Sequence, residues 1–409
     1  MGGILSGIFV LDLSMSVSGP MAAAMLADAG ARVIKIERIG GELTTEWDSV
    51  VHGLSSAYVW NARNKESVAL NLKDSRGREI ARTLAARADV IIESFSPGTI
   101  GRMGLGYDAV SRSNPRVVYC HISGYGQRGP YRDQKAFDLL VQGESGVLSM
   151  NGTPGEICKV PISIADISAA MYANQAILLA LIQRDCTGHG QEIDISMLHC
   201  LVSWLGYYPY FYWFRGEAPE RIGARHHLLT PYGPYQCSDE KFVNVAVLSQ
   251  SAWRLFCEQA LSHPSWVDDP RFLNNELRVR HRDELEAMIA EIIRTRSQRY
   301  WLQRLGELDI PCGQVRDLAE TLNHPQLREL GAFVEAPSLR GPIPAIANPI
   351  CLSGERMRYD GVPVSGQHTR TVLREIGKSD AEISELISQG VASEPGHETI
   401  DSVNTRIQL

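Results

Sequence analysis

The stretch "PISIADISAAMYANQAILLALIQR" (161–184) sets one carboxylate, Asp166, at the mouth of a long apolar segment. An aspartate there can do two things. It can cap the helix by accepting a free backbone amide, or it can act as a nucleophile kept ionised by the helix N-terminus. The residue types alone leave both open. A second set of chemistry-bearing residues lies upstream, each just after an apolar run: "SMSVSGP" (14–20), Arg38, Lys73, "SFSPG" (94–98) with Arg102, and "GYGQRGPYRDQKAFD" (124–138). Cations and glycine turns recurring at such places suit an anionic ligand such as a nucleotide.

The common nucleotide and catalytic signatures do not account for them. "MGLGYDAV" (103–110) holds only part of G-x-G-x-x-G, and neither a P-loop nor a G-x-S-x-G elbow occurs. "HRDELEAM" (281–288) mimics a kinase tripeptide but has no downstream Asn and lies in a charged amphipathic helix. No metal-ligand spacing is found, and the neighbouring His226 and His227 cannot share a helix face. The eight cysteines form no C-x-x-C pair, so neither a disulfide framework nor a zinc site is expected. A net charge of −7 argues against a nucleic-acid partner. The N-terminus reads as no secretory signal and no apolar run reaches about 18 residues, so a cytoplasmic protein without a membrane span is expected.

These residues need elements to position them. "IFVLDL" (8–13), "RVIKIER" (32–38), "SVALNL" (67–72), "DVIIESF" (89–95) and "RVVYCHISGYG" (116–126) read as strands, separated by helical patterns such as 18–30 and 75–88. That alternation predicts an α/β, Rossmann-like fold with a parallel sheet, whose ligands bind beyond the carboxyl ends of the strands. Residues 167–184 predict a buried helix, and the aromatic run "LVSWLGYYPYFYWF" (201–214) either a core segment or a pocket wall. From about 222 the texture becomes that of a smaller α+β unit, with a strand pair around "SDEK" and a strand entering a helix at "DIPCGQVRDLAE" (309–320). The 409 residues are therefore expected to divide into 1–220, 221–335 and a returning segment 336–409 with a polar tail from about 394.

Taken in order, "VLDLSMSVSGPMAAAMLADAGARVIKIER", "NKESVALNLK", "DVIIESFSPGTIGRMGLGYDAV", "SGYGQRGPYRDQKAFDLLVQGESG", "SIADISAAMYA", "TGHGQEIDISM", "HPQLRELG" and the stretch from "SGQHTRTVLREIG" to "ISQG" resemble the class III CoA-transferases, the formyl-CoA and carnitine-CoA transferase (CaiB/BaiF) type, over about residues 3–393. The resemblance implies a CoA-binding large domain, a small domain, and two chains threaded as an interlocked homodimer. It implies Asp166 as a nucleophile that carries first an acyl group and then CoA, with no metal. It implies CoA contacts at Val17, Ser18, Arg38, Leu70, Asn71, Leu72, Lys73, Ser94, Phe95, Ser96, Arg102, Lys135, Ala136, Phe137 and Asp138.

The chain departs from formyl-CoA transferase, which has Gln, Asn and Tyr where Val17, Ser94 and Phe137 stand here, and "GARHHLLTPYGPY" replaces that enzyme's glycine-rich lid. Oxalate is disfavoured on that ground. The related α-methylacyl-CoA racemases pair the aspartate with a histidine, absent from "DQKAFD" here. The closest likeness is to the branch taking succinyl-CoA as donor and itaconate, mesaconate, citramalate or malate as acceptor. Arg225, His226 and His227 are expected to hold the acceptor's distal carboxylate. A racemase-like enzyme, a carnitine-like or aryl-succinate acceptor, and a CoA-binding subunit of a heteromeric transferase are the alternatives.

Overall fold

Apolar, β-branched runs suit strands covered on both faces. In the computed structural model, which describes residues 3–353 and 355–395, such runs form β1 (Phe9–Asp12), β2 (Arg32–Glu37), β3 (Lys65–Leu70), β4 (Val90–Glu93) and β5 (Val118–Ser123), with β6 (Glu192–Ser196) at one edge. Their spatial order is β3-β2-β1-β4-β5-β6, all parallel, and a short strand, Ala392–Ser393, adds antiparallel to β3. This is the doubly wound order. Progress across the sheet reverses between β1 and β4, and a crevice opens there beyond the carboxyl ends.

Helices α1 (Ser18–Asp28), α2 (Ser56–Ala62), α3 (Ser75–Ala85), α4 (Asp138–Glu144), α5 (Ile164–Thr187) and α6 (Met197–Ser203) cover the faces. α1 packs on α5 through alanines, Ala22, Ala23, Ala24 and Ala27 against Ala169, Ala170 and Ala173, all fully buried. Small side chains let the backbones approach, and Asn174 Nδ2 reaches Ala22 O at 3.4 Å. On the opposite face Leu11, Ile34, Ile91 and Tyr119 pack with Ile80 and Leu84 of α3 and with Val372 and Leu373 of the returning helix Thr369–Glu375.

The sequence expectation that no segment is long enough to cross a bilayer needs correcting. α5, at 24 residues, is long and apolar enough by length and composition. Its scattered Ser, Asn and Gln break the apolar run without lowering the average far enough. Half of its most apolar window is buried, as in the core helix of a folded domain.

Two compact units result. One comprises residues up to 146, 161–205 and from 326 on; the other comprises 147–160 and 206–325. The second is α+β. Its antiparallel sheet orders Cys312–Gln314, Phe242–Ala246 and Tyr232–Gln236, the middle strand alternating exposed Phe242 and Asn244 with buried Val243 and Val245. Helices Gln250–Leu255, Arg282–Ile293 and Gln298–Glu307 close a core around Trp253, Phe256, Phe272 and Trp301. In the first unit Ser379 caps Asp380–Ser388 with Glu382 in a full capping box. The polar tail lies, from 396 on, outside the described residues.

Candidate active site

Asp166 stands in the first turn of α5 and is 9% exposed. The helix needs partners for its leading amides, and Ser163 at the cap position supplies no side-chain bond. Asp138, the first residue of α4, provides one from outside. Its Oδ1 accepts the Ala165 N–H at 3.0 Å, and its Oδ2 accepts from Gln142 Nε2, one turn along α4, at 2.8 Å. Ser168 Oγ donates back to Ala165 O at 2.9 Å. The turn that carries Asp166 is thereby tied to a neighbouring helix, and the helix dipole favours negative charge at its N-terminus.

At the switch point a cavity of about 660 Å³ opens over the carboxyl ends of the strands. Arg38 after β2, Leu70 to Lys73 after β3, and Phe95 after β4 line it together. Ser94 sits beside them and accepts the Met15 N–H at 2.9 Å, so the turns after β1 and β4 are joined. The other expected contacts are placed differently. Val17 and Ser18 are buried at the start of α1, Ser96 O accepts the Thr99 N–H, and Arg102 bonds Thr99 Oγ1 at 2.9 Å. Ala136 packs on Gly124, where an added Cβ would lie 2.0 Å from the Ala136 Cβ. Phe137 and Lys135 are exposed, while Asp138 is buried and engaged by α5 and Gln142.

Sequence reasoning missed the charges beneath this cavity. Asp12, fully buried, takes Lys65 Nζ at 2.9 Å and lies 3.7 Å from Lys35 Nζ. Lys35 also donates to Ser14 O and approaches Glu42 at 3.5 Å; Lys65 donates to Pro20 O at 2.7 Å. Burial opposes ionisation of Asp12, but the two ammonium groups outweigh it and hold its carboxyl below the usual range. Together these charges pin the 14–20 turn, which also demands Gly19, since a Cβ there would meet the Ser14 Cβ at 2.2 Å. The available signal was a charged residue inside each otherwise apolar strand, in "VLDLS" and "VIKIE", and a Lys opening the third.

In the second unit Arg225 already faces two carboxylates, Asp283 at 2.6 Å and Glu286 at 3.4 Å. His226 Nδ1 accepts the Leu228 N–H at 3.1 Å, and Nε2 lies 3.2 Å from Tyr207 OH. Burial, then the neighbouring His227 and Arg282, push the His226 pKa down, so this imidazole is neutral near pH 7 with its proton on Nε2. His227 spans Tyr208 OH at 3.1 Å and Glu220 O at 2.8 Å. At His226 anion recognition would therefore rest on neutral N–H and O–H donors rather than on an imidazolium.

The family model described as CoA-transferase family III matches residues 5–369. Succinyl-CoA:glutarate CoA-transferase of Homo sapiens is 31% identical over 407 residues, 97% of this chain and 91% of that protein. Succinate–glutarate CoA-transferase of Agrobacterium fabrum is 34% identical over 383 residues, 91% of this chain and 95% of that protein. Among solved structures, a CAIB/BAIF family protein from Brucella suis superposes with a TM-score of 0.83 at 29% identity, over 92% of this chain and all of that one.

Proposed function

The chain belongs to CoA-transferase family III and uses CoA thioesters as substrates, and from that premise we propose that it moves CoA from succinyl-CoA to a C4–C5 dicarboxylate with Asp166 as the nucleophile. The observation that carries this reading is the carboxylate of Asp166 in the first turn of a helix whose start is held from outside by Asp138. The Asp166 carboxylate attacks the thioester carbonyl and expels CoA thiolate, leaving a mixed anhydride. The thiolate attacks the aspartyl carbonyl, releases succinate and forms an aspartyl-CoA thioester. The acceptor carboxylate then attacks that thioester, freeing thiolate again, and the thiolate takes the acceptor's acyl group and restores Asp166. Each nucleophile is an anion at neutral pH, so no proton has to be removed to start a step.

The cavity at the β1–β4 switch point suits the nucleotide end of CoA. Arg38 and Lys73 give it cations, and the Leu70, Leu72 and Phe95 side chains give it apolar walls. For the acceptor, the glutarate named for two relatives supports a C5 dicarboxylate and stands first, followed by itaconate, mesaconate, citramalate and malate. The Tyr207–His226 pair is the proposed donor to the distal carboxylate, with His227 beside it and Arg225 as the charge behind them. A racemase reading is disfavoured, because "DQKAFD" holds no histidine as a second base and both oxygens of the Asp138 carboxylate are engaged by Ala165 and Gln142. The test is a panel of succinyl-CoA, acetyl-CoA and butyryl-CoA against glutarate, itaconate, mesaconate, citramalate, malate, oxalate and carnitine. Highest kcat/KM with succinyl-CoA and a C4–C5 dicarboxylate is expected. Faster transfer to oxalate or carnitine would refute the acceptor class.

A further inference from the structure

None of the transfer steps uses His121, yet it is 6% exposed and set between carboxylates from both neighbouring strands. Its Nδ1 bonds Glu93 Oε1 of β4, and its Nε2 lies 2.9 Å from Glu192 Oε1 of β6. Glu93 is 2% exposed, whereas the Glu192 side chain is 52% exposed. The second oxygen of Glu93 accepts the Phe95 N–H at 2.8 Å, and Phe95 walls the 660 Å³ cavity. One chain of hydrogen bonds thus runs from solvent at Glu192, through the imidazole and Glu93, to the peptide that shapes the cavity.

We propose that His121 is a proton-linked positioning residue for CoA: as the imidazolium it holds Glu93, and through Glu93 the 94–96 turn, in the geometry that binds the cofactor moiety of the acyl-CoA. The proposal rests on the assignment of the cavity to CoA. An imidazolium has two N–H donors, one for each carboxylate, while the neutral ring has one. Losing the proton leaves a buried carboxylate without its cation. CoA then brings its phosphate charges to a cavity whose wall is held by an uncompensated anion.

The groups facing the ring are Glu93 from β4, Glu192 and its register neighbour Asp194 from β6, and Tyr119 on its own strand, with ring centroids 4.8 Å apart. Asp194 is engaged by the Gln127 N–H at 3.0 Å. Tyr119 is held neutral, chiefly by burial and then by Glu93 and Glu192. Burial alone would lower the His121 pKa, but the bonds and charges of Glu93 and Glu192 outweigh it and raise it above the usual value. The sign follows. The effect is full below about pH 6.5, the ordinary histidine value, and is lost as pH rises through the raised value.

The test is calorimetric titration of the full-length protein with CoA across pH, with KM for succinyl-CoA and kcat measured in parallel. Wild-type Kd should weaken with rising pH by no more than about tenfold per unit, the limit for one proton, and KM rather than kcat should carry the trend. His121→Gln should flatten that slope near the wild-type high-pH affinity. Glu192→Gln, changed at the exposed end, should move the midpoint to lower pH. A wild-type slope that survives in His121→Gln, or an unmoved midpoint in Glu192→Gln if the first variant does not fold, overturns the proposal. Leu72→Trp, which fills the cavity, separates the two readings. Loss of CoA binding there alongside a surviving His121→Gln slope removes the proton link alone, and unchanged CoA binding removes the cavity assignment and the proposal with it.

Discussion

Asp138 reaches the N-terminus of α5 from a different helix, so its replacement separates anchoring from chemistry. Asp138→Ala removes the acceptor of the Ala165 amide and should cost about 1 kcal/mol of stability, the usual value of a lost cap. Because the anchored turn carries Asp166, kcat should fall as well, and Asp138→Asn, which keeps an oxygen acceptor, should restore most of both. Thermal unfolding and kcat measured on the two variants check this; an Ala variant with lowered Tm and wild-type kcat would show that Asp138 only stabilises. At this scale the sequence draws the eye to Asp166, a lone carboxylate before an apolar helix, but its residue types leave cap and nucleophile open and only the family resemblance implies the nucleophile. It does not reveal what holds it. Asp138 is 28 residues upstream, and the resemblance implies it as a CoA contact without implying its bond to the start of α5. Asp12, Lys35 and Lys65 stand out as charges in apolar runs, but their pairing depends on the register of three strands and is not legible in one dimension. The neutral state of His226 depends on burial, His227 and Arg282, and its tautomer on an amide that no local pattern announces.

Strands and helices were more legible. Apolar runs alternating with helical patterns announce a parallel sheet, and the runs named from the sequence overlap β1 to β5, the third starting two residues late because the strand opens on the polar Lys65 and Glu66. The order of those strands is not legible, because which strand lies beside β1 is decided by helices crossing on one face or the other. That order puts the switch point between β1 and β4, and with it the cavity formed by turns far apart in sequence. The aromatic run after 201 divides into α6 and a short helix, Pro209–Arg215, whose Tyr212, Trp213 and Phe214 are exposed. Periodicity gave no way to choose between core and pocket wall for such a stretch, since a segment aromatic all round has no polar face to orient it.

At the scale of the molecule, chain length and the change of texture near 222 announce two units, but their membership is less simple. Residues 147–160 fall with the second unit, joined to it by the Gly223 N–H to Gly152 O bond at 2.7 Å; a hairpin of this size carries no sequence mark of its allegiance. The described chain also leaves large apolar side chains exposed, Leu179 and Ile182 on α5 at 60% and 65%, and Phe214 at 82%. Apolar exposure of this kind is expected where another subunit packs. The proposed homodimer should appear by light scattering at twice the 45.2 kDa chain mass, and a mass of one chain at working concentration would contradict it. The catalytic claim is tested most directly by acid-quenching the enzyme during turnover with succinyl-CoA and mapping its peptides by mass spectrometry. A CoA adduct on the peptide containing Asp166 is expected, discharged by added glutarate and absent from inactive Asp166→Asn. Turnover without that adduct, or an Asp166→Asn variant that still transfers CoA, would contradict it.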